Sequence, residues 1–452
     1  MSDALNDVSR RTLTAGDRYL ALLAIVLLGY ALMGKGFAYI GLPPLYVGEI
    51  AFLTGIAVFV RSGVLVASLA TLPSLVLAAT VMWVLARTVP FVSVYGFDAL
   101  RDSVVILYGG FAFIVIGLLL EDARRIDTVL RYYNILPASF PAILVGFCLT
   151  LYWNEYIPSF YGSMPIVEIT TSAVGTHLAG TMVFVLIGYR KVSFLWFFVW
   201  LATLIIVAST NRGAMLAALG PVAFALLMLG RLRLMLTIVA AGLTILAVLL
   251  AVEATFGQYE EANQSVERPV SAHQIGANAK SIVGYSGDQT EGTKKWRLDW
   301  WDLIINETFH GPTFWTGRGF GLNIADEDGF AGTRSSSGLD RPLTRSPHNA
   351  FMTLLARAGV PGVVLWSLVL ISWSGMMLRA MLVARARGHK QWTGLFLFIT
   401  CYAMSIIINA VFDVTLEGPM QGIWFWCLFG FGIGSVMVYR AQPADGIASS
   451  GQ

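Results

Sequence analysis

The chain has 452 residues, of which 56% are hydrophobic and only 13% charged, with a mean hydropathy of +0.70. A soluble globular protein carries roughly a quarter charged residues, so an aqueous fold is excluded, and a net charge of +3 is too small to point to nucleic acid. Apolar runs near the ~20 residues needed to cross a bilayer recur along the whole length, whereas a membrane barrel would alternate in segments of ~10 residues. An all-α polytopic membrane protein follows.

The first polar stretch carries Arg10, Arg11 and Arg18 just before the first apolar run. That run lacks a small-residue cleavage site, so it reads as a retained helix that starts in the cytoplasm and not as a cleaved signal peptide. About twelve transmembrane helices are expected from run length and flanking polar residues. They lie near 19–34, 42–60, 64–86, 103–120, 136–153, 172–188, 194–209, 213–229, 232–252, 347–378, 393–412 and 419–439. With the N-terminus inside, sixteen Lys and Arg residues fall on the cytoplasmic side, while the short outer loops receive only Lys35, Arg87, Arg101 and Arg212. This is the bias expected of an inner-facing surface. The expected organisation is therefore nine spans over 1–252, one large outer loop over 253–346, three spans over 347–440, and a cytoplasmic tail over 441–452.

Cys148, Cys401 and Cys427 all sit in apolar segments, form no CxxC pair and indicate neither a disulfide framework nor a zinc site. The outer loop holds most of the polar chemistry. Its first part, Gln258 to Asp288, is rich in Gln, Asn, Ser and Gly and reads as irregular. From Thr293 to Asn306 the spacing is helical, with Trp296, Trp300 and Leu303 on one face and Arg297, Trp301 and Ile304 on its neighbour. Three indoles on such a helix suit a membrane interface. Gly311-Pro312 then breaks the helix, and a glycine-rich turn follows at Gly317-Arg318-Gly319-Phe320-Gly321. The serine-rich stretch Thr333 to Gly338 reads as a mobile segment. No internal repeat is evident.

Three basic residues on the outer side stand out. Arg212 sits in a very short turn, Ser209-Thr210-Asn211-Arg212-Gly213-Ala214, against the usual charge preference; the plain alternative is an arginine snorkelling to headgroups. Arg297 lies on the tryptophan-rich helix and has lipid phosphate, Asp299 or Asp302 as ordinary partners. His348 stands in Arg345-Ser346-Pro347-His348-Asn349-Ala350-Phe351, where the polar loop meets an apolar run; the plain alternative is an interfacial helix cap. In combination they are more informative. Two guanidiniums can bind phosphate oxygens in a bidentate manner, and an imidazole can accept a proton near neutral pH. That set suits a leaving diphosphate and an attacking hydroxyl. Arg345, Arg357 and Arg101 are secondary candidates, Arg357 because it falls ~13 Å down a helix starting near Pro347. Glu49 and His177 lie in apolar surroundings where satisfied structural roles are expected.

These segments resemble the O-antigen ligase and O-antigen polymerase superfamily of bacterial envelope glycosyltransferases. The matching pieces are Ser209 to Ala214, Trp296-Arg297, Gly317 to Gly321, Pro347-His348-Asn349-Ala350-Phe351, and Leu354-Leu355-Ala356-Arg357-Ala358-Gly359-Val360-Pro361-Gly362. The plan of about twelve spans with a large loop before the tenth is similar too. The resemblance implies a GT-C-like fold in the bacterial inner membrane, with a periplasmic loop containing short helices. It also implies inverting transfer of a glycan from undecaprenyl diphosphate to an acceptor hydroxyl, on lipid A core or on another lipid-linked glycan. Arg212 and Arg297 would then hold the diphosphate and His348 would act on the hydroxyl, while Trp300, Trp301 and Trp315 are sugar-stacking candidates, with Trp296 beside them. No cofactor and no metal are expected, and Asp98 and Asp102 are too loosely spaced for a metal-binding pair.

The rival from another class is a secondary transporter or an export protein for lipid-linked saccharides. It would place ionisable groups at mid-membrane on paired half-helices. Here those groups gather at the outer ends, and the two halves show no symmetry.

Overall fold

The computed structural model describes residues 13–160, 164–256, 274–276, 278, 288–331 and 345–442. Each of the twelve apolar runs is helical. In chain order the principal helices are α1 (Ala15–Met33), α2 (Val47–Arg61), α3 (Leu72–Tyr95), α4 (Phe97–Leu107), α5 (Gly110–Glu121), α6 (Arg125–Tyr133), α7 (Phe140–Tyr152), α8 (Thr171–Leu186), α9 (Phe194–Thr210) and α10 (Arg212–Met228). They continue with α11 (Leu232–Phe256), α12 (Asp288–His310), α13 (Ala350–Ala386), α14 (Lys390–Phe412) and α15 (Pro419–Ala441). The described strands form one two-stranded ribbon, Gly41–Leu42 against Leu45–Tyr46.

Five helices, α1, α3, α13, α14 and α15, are long and apolar enough to cross a bilayer. Two bent pairs bring the number to seven: α4 with α5, at 44°, and Arg125–Ala138 with α7, at 52°. The helices α8, α9 and α10 are apolar but shorter than a full span. Within this bundle α15 is the central element: 94% of its most apolar stretch is buried, against 22% for α3, whose apolar surface faces outward. Small residues allow its close packing against neighbouring helices. Gly430 and Gly434 of α15 lie against Ala112 and Leu119 of α5, and Gly175 of α8 sits so near Ala214 of α10 that a Cβ would come within 2.7 Å of its carbonyl oxygen.

Contacts between helix ends sort into two sets. At one end Arg125, 3% exposed, is held by Asp17 (2.8 Å), Glu121 (2.5 Å), the Leu118 carbonyl and Thr14. Nearby, Arg190 donates to Asn134 and Arg385 to the Met228 carbonyl. At the opposite end Lys35 pairs with Glu168, and α12 packs over the start of α13. The helix α12 is longer than its predicted core and does not present its indoles to lipid as expected. Trp300 and Ile304 are fully buried with Ile324, Ala325, Leu355 and Ala356, so protein and not the membrane interface receives that face. The predicted mobile stretch Thr333 to Gly338 lies outside the described residues, as does most of the segment Gln258 to Asp288 read as irregular; its described residues, 274–276, 278 and 288, are helical.

The break in α13 explains how the segment between α12 and α13 is held. Gly359 adopts φ +69° in the middle of the helix, followed by Pro361. Proline has no N–H for the carbonyl four residues earlier and clashes with it, so the Arg357 carbonyl needs another donor. Gly319 supplies it (3.0 Å), while Arg318 N–H takes the Ala356 carbonyl (2.8 Å), Trp83 Nε1 the Ala358 carbonyl (3.0 Å), and Val360 N–H turns to Phe314 O (2.8 Å). The two glycine motifs read in the sequence are thus halves of one interlock. Buried backbone groups in a lipid setting must be satisfied within the protein, and here the outer turn does it.

Candidate active site

The strongest local signal is backbone conformation. Among the described residues His348 is the one non-glycine with positive φ, at +53°, a left-handed geometry that costs on the order of 1–3 kcal/mol for such a residue. Its neighbours hold it there. Trp301 Nε1 donates to the Pro347 carbonyl at 2.8 Å. Asn349 caps α13, its side chain accepting from Phe351 N–H (2.9 Å) and Met352 N–H (3.3 Å). Arg345 donates to the Gly321 carbonyl at 3.0 Å.

The His348 ring places Nδ1 3.4 Å from Oδ1 of Asp413, with each side chain 27% exposed. Trp296 stands edge-on to the imidazole at 6.1 Å between centroids. Asp413 opens the short turn between α14 and α15. Burial alone would raise its carboxyl, but hydrogen bonds from His348, the Val414 N–H and Ser172 outweigh that and hold it below the ordinary aspartate range. It is therefore a carboxylate beside the imidazole.

The residue before it, Phe412, gathers the remaining pieces. Arg297 Nη1 donates to the Phe412 carbonyl at 2.9 Å, satisfying an orphan group at the end of α14. The α10 start packs on the same residue: a Cβ at Gly213 would meet Phe412 Cβ at 2.9 Å. Arg212 is the first residue of α10, half-buried and hydrogen-bonded or paired, directly after the cap Asn211. Asn278, fully buried, seals the other side of that turn by donating to the Ala208 and Ser209 carbonyls at 2.8 Å. Arg212, Arg297 and His348 thus sit on three different elements that meet at the Phe412-Asp413 corner.

The secondary candidates have another arrangement. Arg101, Arg345 and Arg357 all reach Asp102, at 3.2, 3.5 and 3.0 Å, and the first two also pair with Asp98. Arg357, fully buried, further donates to the Leu322 carbonyl. Arg345 and Arg357 tie the histidine loop and α13 to α4, while Arg101 pairs within α4, so Asp98 and Asp102 are engaged by arginines and Arg357 is committed to Asp102 and the Leu322 carbonyl. Trp300 is also corrected. Its ring is buried, stacked on Phe330 at 5.3 Å and 3°, with Nε1 donating to Asp328 at 2.6 Å, which leaves no face for a sugar. Trp301 is half-buried beside the histidine loop, and Trp315 is 69% exposed. Glu49 and His177 have the structural roles expected, bonded to Tyr108 and Tyr402 respectively.

Sequence reasoning missed Asp413 and Glu417. Both are acidic residues in a turn of a few residues between two apolar runs, the same signal that drew attention to Arg212. Glu417 accepts from Thr353 at 2.8 Å. Burial pushes its carboxyl above the ordinary range, with Ser346, Thr353 and Arg357 acting in the opposite direction.

The bundle is that of a polytopic helical membrane protein, and the Phe412-Asp413 corner gathers polar and cationic residues at its helix ends. Residues 197–367 match the family described as O-Antigen ligase, and over that segment the chain is similar to the O-antigen ligase and polymerase superfamily. The matched segment contains Arg212, Arg297, His348 and both halves of the glycine interlock, while Phe412 and Asp413 lie beyond it. No curated protein matches the chain.

Proposed function

We propose that the chain is a membrane glycosyltransferase of the ligase or polymerase type. It moves a glycan from undecaprenyl diphosphate to an acceptor hydroxyl at the periplasmic face, without a metal and with inversion. The bundle is then GT-C-like, crosses the inner membrane about twelve times, and keeps both termini in the cytoplasm. The observation that carries this is the meeting of Arg212, Arg297 and His348 on the Phe412-Asp413 corner.

Asp413 on Nδ1 favours the tautomer with its proton there and leaves Nε2 as the basic nitrogen. His348 takes the proton of the acceptor hydroxyl as its oxygen attacks the anomeric carbon. The bond from that carbon to the diphosphate oxygen breaks, and the diphosphate departs with the electron pair. Arg212 and Arg297 stabilise the growing negative charge, aided by the N-termini of α10 and α13, which begin at the same corner. Trp301 and Trp315 remain the sugar-stacking candidates.

The test is complementation of a deletion strain, with surface polysaccharide resolved on a gel. Wild type restores polymer, and His348→Ala is expected to lose transfer by about 10²–10⁴-fold while reaching the membrane normally. Full transfer by that variant would remove the proton-acceptor role. Lipid-linked polymer with bare core in the deletion strain identifies a ligase; loss of high-mass polymer identifies a polymerase. EDTA is expected to leave transfer unchanged, and inhibition reversed by Mg²⁺ overturns the metal-free step.

A further inference from the structure

At the end of the bundle opposite the histidine, Arg379 and Val383 of α13 and Arg387, its C-cap, follow one another at four-residue spacing and share one face. Tyr439 and Arg440, in the last turn of α15, close the other side of an open hollow of about 380 Å³ floored by Ala380 and Val383. Among the described residues no carboxylate pairs with any of these three guanidiniums, unlike Arg125, Arg318 and Arg357. The Tyr439 ring is buried and its hydroxyl is bonded to His389 at 2.9 Å, so this wall of the hollow is fixed. Three converging cations without an internal counter-charge form a receptor for an anion, and guanidinium matches phosphate geometry best.

The surroundings indicate which phosphate. Arg379 lies twenty residues beyond the Gly359 break, about 30 Å along a helix axis, which is the thickness of a bilayer's hydrocarbon core. Along that length Val364, Leu368, Ile371 and Leu378 are exposed on one face, an apolar stripe that leads to the arginines. We propose that this hollow binds the headgroup phosphate of an anionic phospholipid, whose acyl chain lies along the α13 stripe. The assignment rests on the membrane reading of the bundle but not on its glycosyltransferase activity.

The experiment measures the thermal-unfolding midpoint of the full chain in zwitterionic detergent. The additions are phosphatidylglycerol, phosphatidylcholine and inorganic phosphate, with no glycan donor or acceptor present. Phosphatidylglycerol is expected to raise the midpoint saturably by several degrees, and the other two to leave it unchanged. The double variant Arg379→Gln/Arg440→Gln should match wild type in phosphatidylcholine yet need at least a tenfold higher phosphatidylglycerol concentration for half the rise. An equal rise in the variant, or with phosphatidylcholine, overturns the site, and an equal rise with inorganic phosphate overturns the lipid assignment. Should the double variant not fold, Arg387→Gln alone is measured, with the same rise at wild-type concentrations overturning the site. His348→Ala is expected to respond as wild type, which separates failure here from failure of the enzymatic reading.

Discussion

Arg297 donates from Nη1 to the carbonyl of Phe412 at 2.9 Å, and Phe412 directly precedes the carboxylate that faces His348. A side chain from the outer helix is thus pinned to the turn that orients the imidazole. A guanidinium has five donors in a planar fork, so it can keep this anchor and still offer donors to phosphate. Arg297→Lys retains the charge but not the fork. We expect transfer to fall about 10²-fold with little change in expression, as read from polymer yield in a complemented deletion strain.

Asp413→Asn tests the partner of the imidazole. We expect at least about tenfold slower transfer. Because the Asp413 carboxyl is held below the ordinary range, its ionised form stabilises the fold. That contribution is fully present above the unfolded aspartate value of ~3.9 and is lost as pH falls through the lowered folded value. Wild type should therefore unfold at a higher temperature than Asp413→Asn at neutral pH, with the gap closing in acid. A gap that widens on acidification contradicts the assignment.

Gly359→Ala should disrupt the interlock. The position has φ +69°, and a Cβ there would come within 2.6 Å of the Phe314 carbonyl and 2.8 Å of Gly317 N. Both strain and collision act, so a loss of about 2 kcal/mol or more is expected. In spheroplasts the outer segment should become sensitive to added protease. Unchanged protection would show that the turn docks by other contacts.

The two tryptophans should separate cleanly. Trp300 is buried against Phe330, so Trp300→Ala is expected to cost about 3–5 kcal/mol and reduce the amount of folded protein. Trp315 is 69% exposed, so Trp315→Ala should leave thermal stability unchanged and raise the KM for the glycan donor. An unaltered KM removes Trp315 as a stacking platform.

Much of this was legible in the chain because composition and run length report directly on solvent. The helical bundle and the three candidate site residues follow from where apolar runs and polar groups occur. The convergence does not, because His348 and Asp413 are brought together by two intervening helices and no periodicity links them. Arg345, Arg357 and Arg101 looked like ligand-binding residues because arginine chemistry was visible and the shared partner Asp102, more than 240 residues before Arg345, was not. Trp300 misled for a similar reason: an indole on an amphipathic helix suits lipid or protein equally, and only the neighbour Phe330 decides. What Gly359-Val360-Pro361-Gly362 does shows only in the fold, where the break frees the carbonyls of Ala356 and Arg357 to accept from Arg318 and Gly319.

The mutual dependence of the outer turn and the split helix has a practical corollary for engineering acceptor choice. Transplanting a loop from a relative into this scaffold would strand carbonyls within α13 unless the donor brings its own matching amides. A productive graft should therefore move residues 312–322 and 354–362 as one cassette.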